Sequence, residues 1–378
     1  MSASAQARSS TRFFGKSPAS VRVLVFGTYQ RDYPRNAQVR SCLRTAGVAV
    51  TERHVPVWDS RRNAWSAGVG TLPRLLVAEA RLARRRSAAA ETEAILVGYP
   101  GHLDVPAARR VACGRPVVFD PLVSLFDTFV GDRGRFRARS PAGRALLAID
   151  RLAFKAANIV VADTEAQAAF YVDRFGLSPD RVRVCLVGAE ERLFVPRPPA
   201  SRPFHALFVG KLTPLHGLET ILAAARLAPE ISFRIVGSGQ LDRELDRAPA
   251  NVTHVPWVEY ERLPDELHAA GCALGIFGTS PKALRVIPNK AYQALACAVP
   301  LVTADTPAAR ELLSDGEDAL LVSPADPQAL AAAVRRLADD PAAAERMGAA
   351  GRATYEGRAS EAALGAKWRA LFDQLVVT

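Results

Sequence analysis

Patterns typical of buried β-strands alternate with helical patterns along this chain, and this alternation limits its fold more than any other feature. The first strand is predicted at 21–27, where VRVLVFG forms a continuous apolar run of the kind that is covered on both faces of a sheet. Strands separated by helices form βαβ units, whose strands run parallel. Up to residue 188, further strands are predicted at 48–55, 94–99, 115–120, 158–163 and 182–188, and helices at 71–87, 104–113, 141–157 and 164–175.

A break at 195–203, VPRPPASRP, divides the alternation in two, because prolines and small polar residues interrupt regular structure. We therefore predict an α/β protein with two Rossmann-like, doubly wound parallel-sheet domains that face an interdomain cleft, where such sheets bind ligands. The predicted units are a disordered tail at 1–20, a first domain at 21–197, a second domain at 198–357, and a C-terminal segment at 358–378 whose helix returns to the first domain. Beyond the break, strands are predicted at 205–211, 232–239, 251–258, 272–278, 300–305 and 319–323, and helices at 217–228, 260–270, 289–297, 307–313, 327–339 and 360–376.

Cysteine usage and apolar runs indicate the compartment. The five cysteines are scattered without a C-x-x-C pair, which disfavours a disulfide framework or a thiolate zinc site and fits a reducing environment. No stretch reaches about 18 uninterrupted apolar residues, so no membrane-spanning helix is predicted. Residues 1–20 lack the apolar core of a secretory signal, although their Ser- and Arg-rich composition leaves a transit peptide as the alternative to a plain tail. We expect a cytoplasmic protein.

Three common ligand signatures are missing. The segment after the first strand has one glycine, Gly27, where a dinucleotide-binding fingerprint needs three, so NAD is disfavoured. No closely spaced carboxylate pair such as D-x-D suggests a metal site, and we expect none. The basic runs lack interleaved aromatic residues and no known binding module is present, so nucleic acid is not an expected partner.

Several motifs follow one another along the second half of the chain, after the approach to the linker at 161–196. They are FVGKLTPLHGLETIL at 208–222, IVGSGQL at 235–241, PNKAYQALACAVPLVTADTPAARELL at 288–313 and DGEDALLVSPADPQALAAAVRRLADDP at 315–341. In this order they resemble the motifs of retaining glycosyltransferase family 4. This resemblance implies a GT-B fold and transfer of a sugar from a nucleotide-diphosphate sugar to an acceptor, with retention of configuration and without a metal or other cofactor. The sequence leaves the acceptor open: a lipid-linked molecule, a glycan or a secondary metabolite.

The resemblance places four residues of the second domain at the diphosphate. Lys211 stands where the family has an arginine or lysine on the diphosphate, and His216 where it usually has a second lysine. Asn289 and Lys290 begin a predicted helix whose N-terminus should meet the diphosphate, because helix N-termini attract anions. A lysine there opposes the helix dipole unless an anion lies nearby. Each of these residues is otherwise an ordinary surface residue.

Further second-domain residues depart from the family pattern or match it weakly. The family has two glutamates seven residues apart, one at the sugar hydroxyls and one at the ribose, where this chain has Arg285 and Gln293. A glutamine amide still bonds a ribose hydroxyl, whereas a guanidinium accepts no hydrogen bond, so sugar recognition must be arranged differently. Glu311 matches a family glutamate near the donor or is a solvated helix residue. Gly237 in the G-S-G turn either contacts phosphate or only forms a tight turn.

Candidate residues of the first domain follow its strands. His102 lies where the family often has a histidine that touches the donor sugar or the acceptor, and a buried structural histidine is the alternative. His102, Asp120 and Asp127 are the catalytic candidates, and the two carboxylates could also bind acceptor hydroxyls. For Asp127 a helix cap is the alternative. Gly27 would let the loop backbone approach a ligand or would simply form the turn.

The net charge of +11 is concentrated in residues 1–200. Two basic stretches, 60–86 and 133–155, adjoin apolar positions such as Leu72, Leu76 and Leu125. Basic residues beside an apolar helical face suit an anionic membrane surface, so peripheral contact with the inner face of a membrane is predicted, with a solvated arginine-rich face as the alternative.

Two rival functions remain open at this stage. A GT-B sugar-nucleotide epimerase shares the fold and acts on its donor alone. An inactive nucleotide-sugar-binding subunit would explain why Arg285 and Gln293 replace acidic residues. Turnover of a nucleotide sugar without an acceptor identifies the first, and donor binding without turnover identifies the second.

Overall fold

The computed structural model of the protein describes residues 21–58, 72–84, 91–198 and 203–377. The predicted tail at 1–20, the centre of the predicted linker at 199–202 and part of the basic stretch 60–86 lie outside the described residues.

The first sheet has the six parallel strands β1 to β6 among the described residues, in the order β2-β1-β3-β4-β5-β6. The strands β1, β3, β4 and β5 are continuous apolar runs and are buried, as expected for a sheet covered on both faces. The strands are β1 Arg22–Gly27, β2 Ala49–His54, β3 Ala94–Val97, β4 Val117–Phe119, β5 Ile159–Ala162 and β6 Val182–Val184. The helices between them are α1 Pro34–Thr45, α2 Leu72–Ala83, α3 Asp104–Val111, α4 Pro141–Ala156 and α5 Glu165–Phe175.

The second sheet has the parallel strands β7 to β12 in the order β12-β11-β10-β7-β8-β9. The chain leaves the neighbouring strands β7 and β10 toward opposite edges of the sheet, which creates a crevice at their carboxyl ends. The strands are β7 His205–Val209, β8 Ser232–Val236, β9 Val252–Val255, β10 Cys272–Leu274, β11 Leu301–Ala304 and β12 Leu320–Val322. The helices are α6 Leu218–Leu227, α7 Leu263–Ala269, α8 Asn289–Ala296, α9 Pro307–Arg310, α10 Pro327–Asp339, α11 Pro341–Arg358 and α12 Glu361–Val377.

The last helix, α12, lies against α1 of the first sheet. Gly365 permits this contact, because a side chain there would meet the carbonyl oxygen of Cys42. Trp368 and Phe372 of the same helix are buried in an apolar core shared with β1 and α1. The preceding helix α11 packs on α8 of the second sheet, so the C-terminal helices contact both halves of the molecule.

Most differences from the sequence prediction concern the lengths of elements. Predicted strands are shorter in the structure by one to a few residues at their ends, since backbone pairing stops where the loops diverge. The helix predicted at 307–313 is only the short α9, and residues 341–358 form a helix that was not predicted as a separate element. A π-helical turn, Asp127–Asp132, follows β4, where the sequence suggested no regular structure.

Candidate functional site

A cavity of about 340 Å³ lies between the carboxyl ends of the two sheets. Its second-sheet wall is formed by the segments that follow β7 and β10, which meet at the crevice described above. Its first-sheet wall is formed by the ends of β3, β4 and β5 and by the π-helical turn. This position between two domains, at a topological switch point, is where α/β sheets bind ligands.

The loop after β7 is shaped by glycines. Gly210 has a φ of +151° and Gly237 a φ of +133°, values that residues with a side chain rarely adopt. A side chain at Gly237 would clash with the carbonyl oxygen of Gly210. Glycine at position 237 therefore lets its turn pack closely against the Gly210 loop. Lys211 follows in this loop and lines the cavity, and its pKa is lowered by partial desolvation and by the nearby Arg133.

Lys290 is the buried cation of the second-sheet wall. Its side chain extends from the first turn of α8, and its Nζ lies 3.7 Å from the centre of the Phe208 ring. Nζ is also 3.0 Å from the place that a Cβ atom would occupy at position 210, where the chain has glycine. Nζ has no hydrogen-bond partner among the described residues, and burial lowers the pKa of Lys290 well below its usual value. An ammonium in this environment has unused donors, so an anionic ligand would gain from its charge.

Asn289 and Gln293 line the same cavity. Both belong to α8, whose N-cap residue, Pro288, offers no side-chain cap to the first turn. Backbone N–H groups at an uncapped helix start favour a negative charge nearby. The structure therefore brings Lys211, Asn289, Lys290 and Gln293 together, and their assignment to the donor stays a prediction.

His216 also lines the cavity, but in a neutral form. Its Nδ1 contacts the carbonyl oxygen of Lys211, which only accepts hydrogen bonds, so Nδ1 carries the proton. Burial, and then the charge of Lys290, lowers the pKa of His216 well below its usual value. The ring therefore orders the Lys211 loop without contributing a charge.

Lys282 and the π-helical turn form a part of the wall that the sequence analysis did not identify. Lys282 is 6% exposed, and its Nζ donates a hydrogen bond to Oγ1 of Thr128 at 2.8 Å, which joins the second half of the chain to the first. Asp132 and Arg133, from the same turn as Thr128, also line the cavity. Burial lowers the pKa of Lys282 while the charge of Asp132 opposes this change. In the sequence, the signal for Lys282 was its position in the same segment as Arg285, which was expected near the sugar.

Asp163 is another residue of the wall that the sequence analysis missed. It follows β5 at the carboxyl edge of the first sheet, is 5% exposed and lines the cavity. Burial raises its pKa to about 7, against the opposing charge of Arg35. Its Oδ1 has no hydrogen-bond partner among the described residues. The signal in the sequence was an acidic residue directly after a buried strand.

Arg285, expected near the sugar, does not line the cavity. Its guanidinium points to the first half of the chain, where Nη2 lies 2.9 Å from both carboxylate oxygens of Asp127, and it stacks 4.0 Å from the centre of the Phe170 ring. Its backbone oxygen accepts a hydrogen bond from Oγ1 of Thr164. Arg285 and Asp127 therefore join the two halves of the molecule, and Asp127 does not line the cavity.

Asp120 is also occupied by a protein partner. It forms a bidentate pair with Arg35, with distances of 2.8 Å to Nε and 3.2 Å to Nη2. Both side chains are buried, and Arg35 donates further to the carbonyl oxygens of Leu186 and Cys185. This carboxylate stabilises the first sheet and does not line the cavity.

Glu311 caps a helix of the other domain. Its carboxylate accepts hydrogen bonds from the backbone N–H groups of Glu165 and Ala166, at 2.7 and 2.9 Å, in the first turn of α5. Thr164 caps the next N–H group, that of Gln167. Its negative charge offsets the positive end of the helix dipole. Glu311 does not line the cavity.

His102 and Gly27 lie beside a second, smaller cavity on the first sheet. His102 is buried between the carbonyl oxygens of Val123, 3.1 Å from Nε2, and Pro100, and burial lowers its pKa. Gly27 has a φ of +133°, and a side chain there would clash with the carboxylate of Asp104. The smaller cavity, lined by His102 and Asp104, has a volume of about 170 Å³.

No cluster of three or more His, Cys, Asp or Glu side chains in the described part of the chain is placed to hold a metal ion. No helix in that part of the chain is long and apolar enough to cross a bilayer.

Part of the chain is similar in sequence to known glycosyltransferases. Residues 203–340 match the family described as "Glycosyl transferases group 1". The D-inositol 3-phosphate glycosyltransferase of Acidothermus cellulolyticus is 30% identical over 212 residues, which make up 49% of this chain and 46% of that protein. The chain spans about half the length of the curated relatives it matches.

Solved structures match almost the whole chain. Sucrose-phosphate synthase from Thermosynechococcus elongatus has a TM-score of 0.69 over 94% of this chain and 99% of that one, at 19% identity. HepE of Anabaena in complex with UDP-glucose has a TM-score of 0.67 over 93% and 99%, at 16% identity. At such identities the likeness is one of fold. The predicted GT-B fold is confirmed.

Proposed function

We propose that this chain is a glycosyltransferase that transfers a sugar from a nucleotide-diphosphate sugar to an acceptor, with retention of configuration and without a metal ion. The match of residues 203–340 to group 1 glycosyltransferases and the GT-B fold support the reaction class. The structural neighbour HepE, in complex with UDP-glucose, supports a nucleotide sugar as the donor.

The observation that carries the proposal is the cationic second-sheet wall of the cavity. Lys211, Lys290 and the uncapped start of α8 surround one space, and Nζ of Lys290 has no partner among the described residues. A nucleoside diphosphate gains negative charge as it leaves the sugar, so fixed cations and helix dipoles lower the energy of the transition state. These groups supply the positive charge that a metal ion supplies elsewhere. Gln293, further along α8, is assigned to the ribose.

The test is calorimetric titration of Lys290→Ala and Lys290→Met with a nucleoside diphosphate. Hydrogen bonds to ionised groups contribute about 1.5–3 kcal/mol, so both variants should bind the diphosphate about ten- to a hundredfold more weakly. Lys290→Met keeps an unbranched side chain over Phe208 and separates loss of charge from loss of packing. Lys155→Ala, an exposed lysine of α4, is the matched control. Unchanged affinity in both Lys290 variants would show that the diphosphate site is wrong.

The reaction itself is tested by product analysis. The protein is incubated with its sugar nucleotide, with and without candidate acceptors, in buffer containing a chelator. We expect transfer only when an acceptor is present, and the anomeric configuration of the product should equal that of the donor. Turnover without an acceptor would instead identify an epimerase, and an inverted product would refute retention.

We further propose that the basic first half of the chain contacts an anionic membrane surface at the cytoplasmic side. Helix α2 exposes Leu76 and Val77, at 62% and 51%, beside the basic residues Arg74 and Arg81. Helix α4 exposes Leu152 in the same way. Apolar side chains among arginines suit the boundary between lipid headgroups and acyl chains.

The membrane proposal is tested by sedimentation with vesicles. The protein should co-sediment with vesicles that contain phosphatidylglycerol and much less with pure phosphatidylcholine, and salt should weaken binding because it screens the charges. Equal amounts in the supernatant with both vesicle types would rule out this surface. Leu76→Asp should reduce co-sedimentation, and Leu227→Asp, at an exposed leucine of α6, should not.

A further inference from the structure

The sugar end of the cavity lacks the acidic group that the resemblance led us to expect on the second sheet. That position holds Arg285, whose guanidinium is engaged with Asp127. A guanidinium donates hydrogen bonds and accepts none. A group that accepts a hydrogen bond from a sugar hydroxyl must therefore come from elsewhere on the cavity wall.

Two carboxylates line the described wall, Asp132 and Asp163, and both come from the first half of the chain. Burial raises the pKa of Asp132, and the positive charges of Lys282 and Arg133 oppose this shift. Its charge is thus partly used within the protein. Both carboxylates lie on the first-sheet side, which also carries Arg133, whereas Lys211 and Lys290 lie on the second-sheet side.

Both carboxylates have an Oδ1 atom without a hydrogen-bond partner among the described residues, and Asp163 differs from Asp132 in its charged neighbours. Arg35 lies close enough for its charge to act on Asp163, but its N–H groups are donated to Asp120 and to the carbonyl oxygens of Leu186 and Cys185. Oδ1 of Asp163 therefore stays without a donor in the described structure, although the residue is 5% exposed. Buried polar atoms almost always have a hydrogen-bond partner, and an exception at a cavity wall indicates a ligand or water.

We propose that the carboxylate of Asp163 accepts a hydrogen bond from a hydroxyl group on the sugar of the bound nucleotide sugar. The inference rests on the proposed function and adds a residue that decides which sugar is accepted. The diphosphate then lies toward Lys211 and Lys290 and the sugar toward Asp163, on the opposite side of the cavity. In this arrangement Asp163 takes over the hydroxyl recognition that Arg285 cannot perform.

The test compares two ligands that differ only in the sugar. A thermal-shift screen of wild type with UDP, GDP and ADP first selects the nucleotide, because a bound ligand raises the Tm. Calorimetry then measures Kd for that diphosphate and for its glucose or mannose derivative, in wild type and in Asp163→Asn. We expect the variant to bind the sugar nucleotide about tenfold or more weakly, as loss of a charge-assisted hydrogen bond implies, and the diphosphate within about twofold of wild type.

The possible outcomes separate this inference from the proposed function. If wild type binds a diphosphate and its sugar derivative, and Asp163→Asn changes neither Kd or both equally, Asp163 does not recognise the sugar although the function stands. If wild type binds no nucleotide, the proposed function fails and the inference fails with it. Asp339→Asn, the same substitution at an exposed site of α10, is the control and should leave both Kd values unchanged.

Thermal stability provides a second readout. If Asp163 only supported the fold, its replacement would lower the Tm. A buried carboxylate whose oxygen lacks a partner is held at a cost to stability, so Asp163→Asn should have a Tm equal to or above that of wild type. A lower Tm together with loss of both ligands would assign Asp163 a structural role and overturn the proposal.

Discussion

The two walls of the cavity are built in different ways. On the second-sheet wall, Lys211, His216 and the residues of α8 come from two short segments that follow the neighbouring strands β7 and β10. On the first-sheet wall, the polar residues come from the ends of several strands and from a π-helical turn, and many acidic groups nearby are paired over long sequence distances. Local motifs therefore locate the second-sheet residues and leave those of the first sheet undetermined.

The comparison also separates groups that hold the fold from groups that are available to a ligand. Asp120, Asp127 and Glu311 are carboxylates whose oxygens meet protein donors. Lys290 and the two carboxylates of the first-sheet wall line the cavity, and each has a polar atom without a partner among the described residues. Because a buried unpaired atom costs stability, these residues are the better candidates for binding.

The largest expected effect is on the buried Arg35–Asp120 pair. Arg35→Ala removes one partner of a fully buried ion pair and leaves the carboxylate of Asp120 uncompensated. The free energy of unfolding should fall by about 3–5 kcal/mol, as is usual when one buried charge loses its partner. Denaturant unfolding of wild type and variant measures this loss of unfolding free energy.

The control for this pair is Arg310→Ala. Arg310 forms an equally close pair with Asp305, but its side chain is 59% exposed. Exposed pairs contribute about 0–1 kcal/mol, so this variant should unfold almost as wild type does. Similar losses of unfolding free energy in both variants would contradict the distinction between buried and solvent-exposed ion pairs.

The next effect is a dependence of stability on pH that arises from Asp163. Burial raises its pKa from 3.8 to about 7 in the folded protein, while Arg35 and Lys282 oppose the shift and Asp120 adds to it. Between these values the unfolded chain loses the proton and the folded protein keeps it, so stability falls as pH rises, by up to about 1.4 kcal/mol per pH unit.

Asp163→Asn should remove this slope. The free energy of unfolding of the variant minus that of wild type should grow from pH 4 to pH 7 and stay constant above it. Denaturant unfolding at a series of pH values measures the difference. A constant difference across this range would show that Asp163 is ionised in the folded protein as it is in the unfolded chain.

How well the sequence predicted the molecule follows the same division between local patterns and contacts over long sequence distances. Apolar runs and helical spacing predicted the strands and two doubly wound domains, because both depend on local pattern and burial. The GT-B fold and the assignment of Lys211 and Lys290 to the diphosphate came from the family resemblance, and that assignment stays a prediction. Arg285 was placed at the sugar, and its pairing with Asp127 could not be foreseen, because 158 residues separate the two and no local pattern brings them together.

A smaller effect is expected from the Arg285–Asp127 pair. The two side chains are 16% and 12% exposed, between the buried and the solvated pairs above. A double-mutant cycle with Arg285→Ala and Asp127→Ala should give a coupling energy of about 1–2 kcal/mol, within the range for residues in contact. Denaturant unfolding of the four proteins measures it. Additive losses would mean that the contact does not join the two halves of the molecule in solution.

The smallest effect concerns Glu311, which caps α5 from the opposite half of the chain. Glu311→Ala leaves the N–H groups of Glu165 and Ala166 without their acceptor and should cost about 1 kcal/mol, as other lost helix caps do. Asp326→Ala is the matched control, because Asp326 caps its own helix, α10, through the N–H of Ala329. Both variants should lose similar stability, as measured by denaturant unfolding. Only Glu311→Ala should also weaken binding of a nucleoside diphosphate, by about two- to fivefold or roughly 0.4–1 kcal/mol, since its cap holds the two cavity walls together. Equal affinity in the two variants would show that the cap stabilises α5 without fixing the cavity.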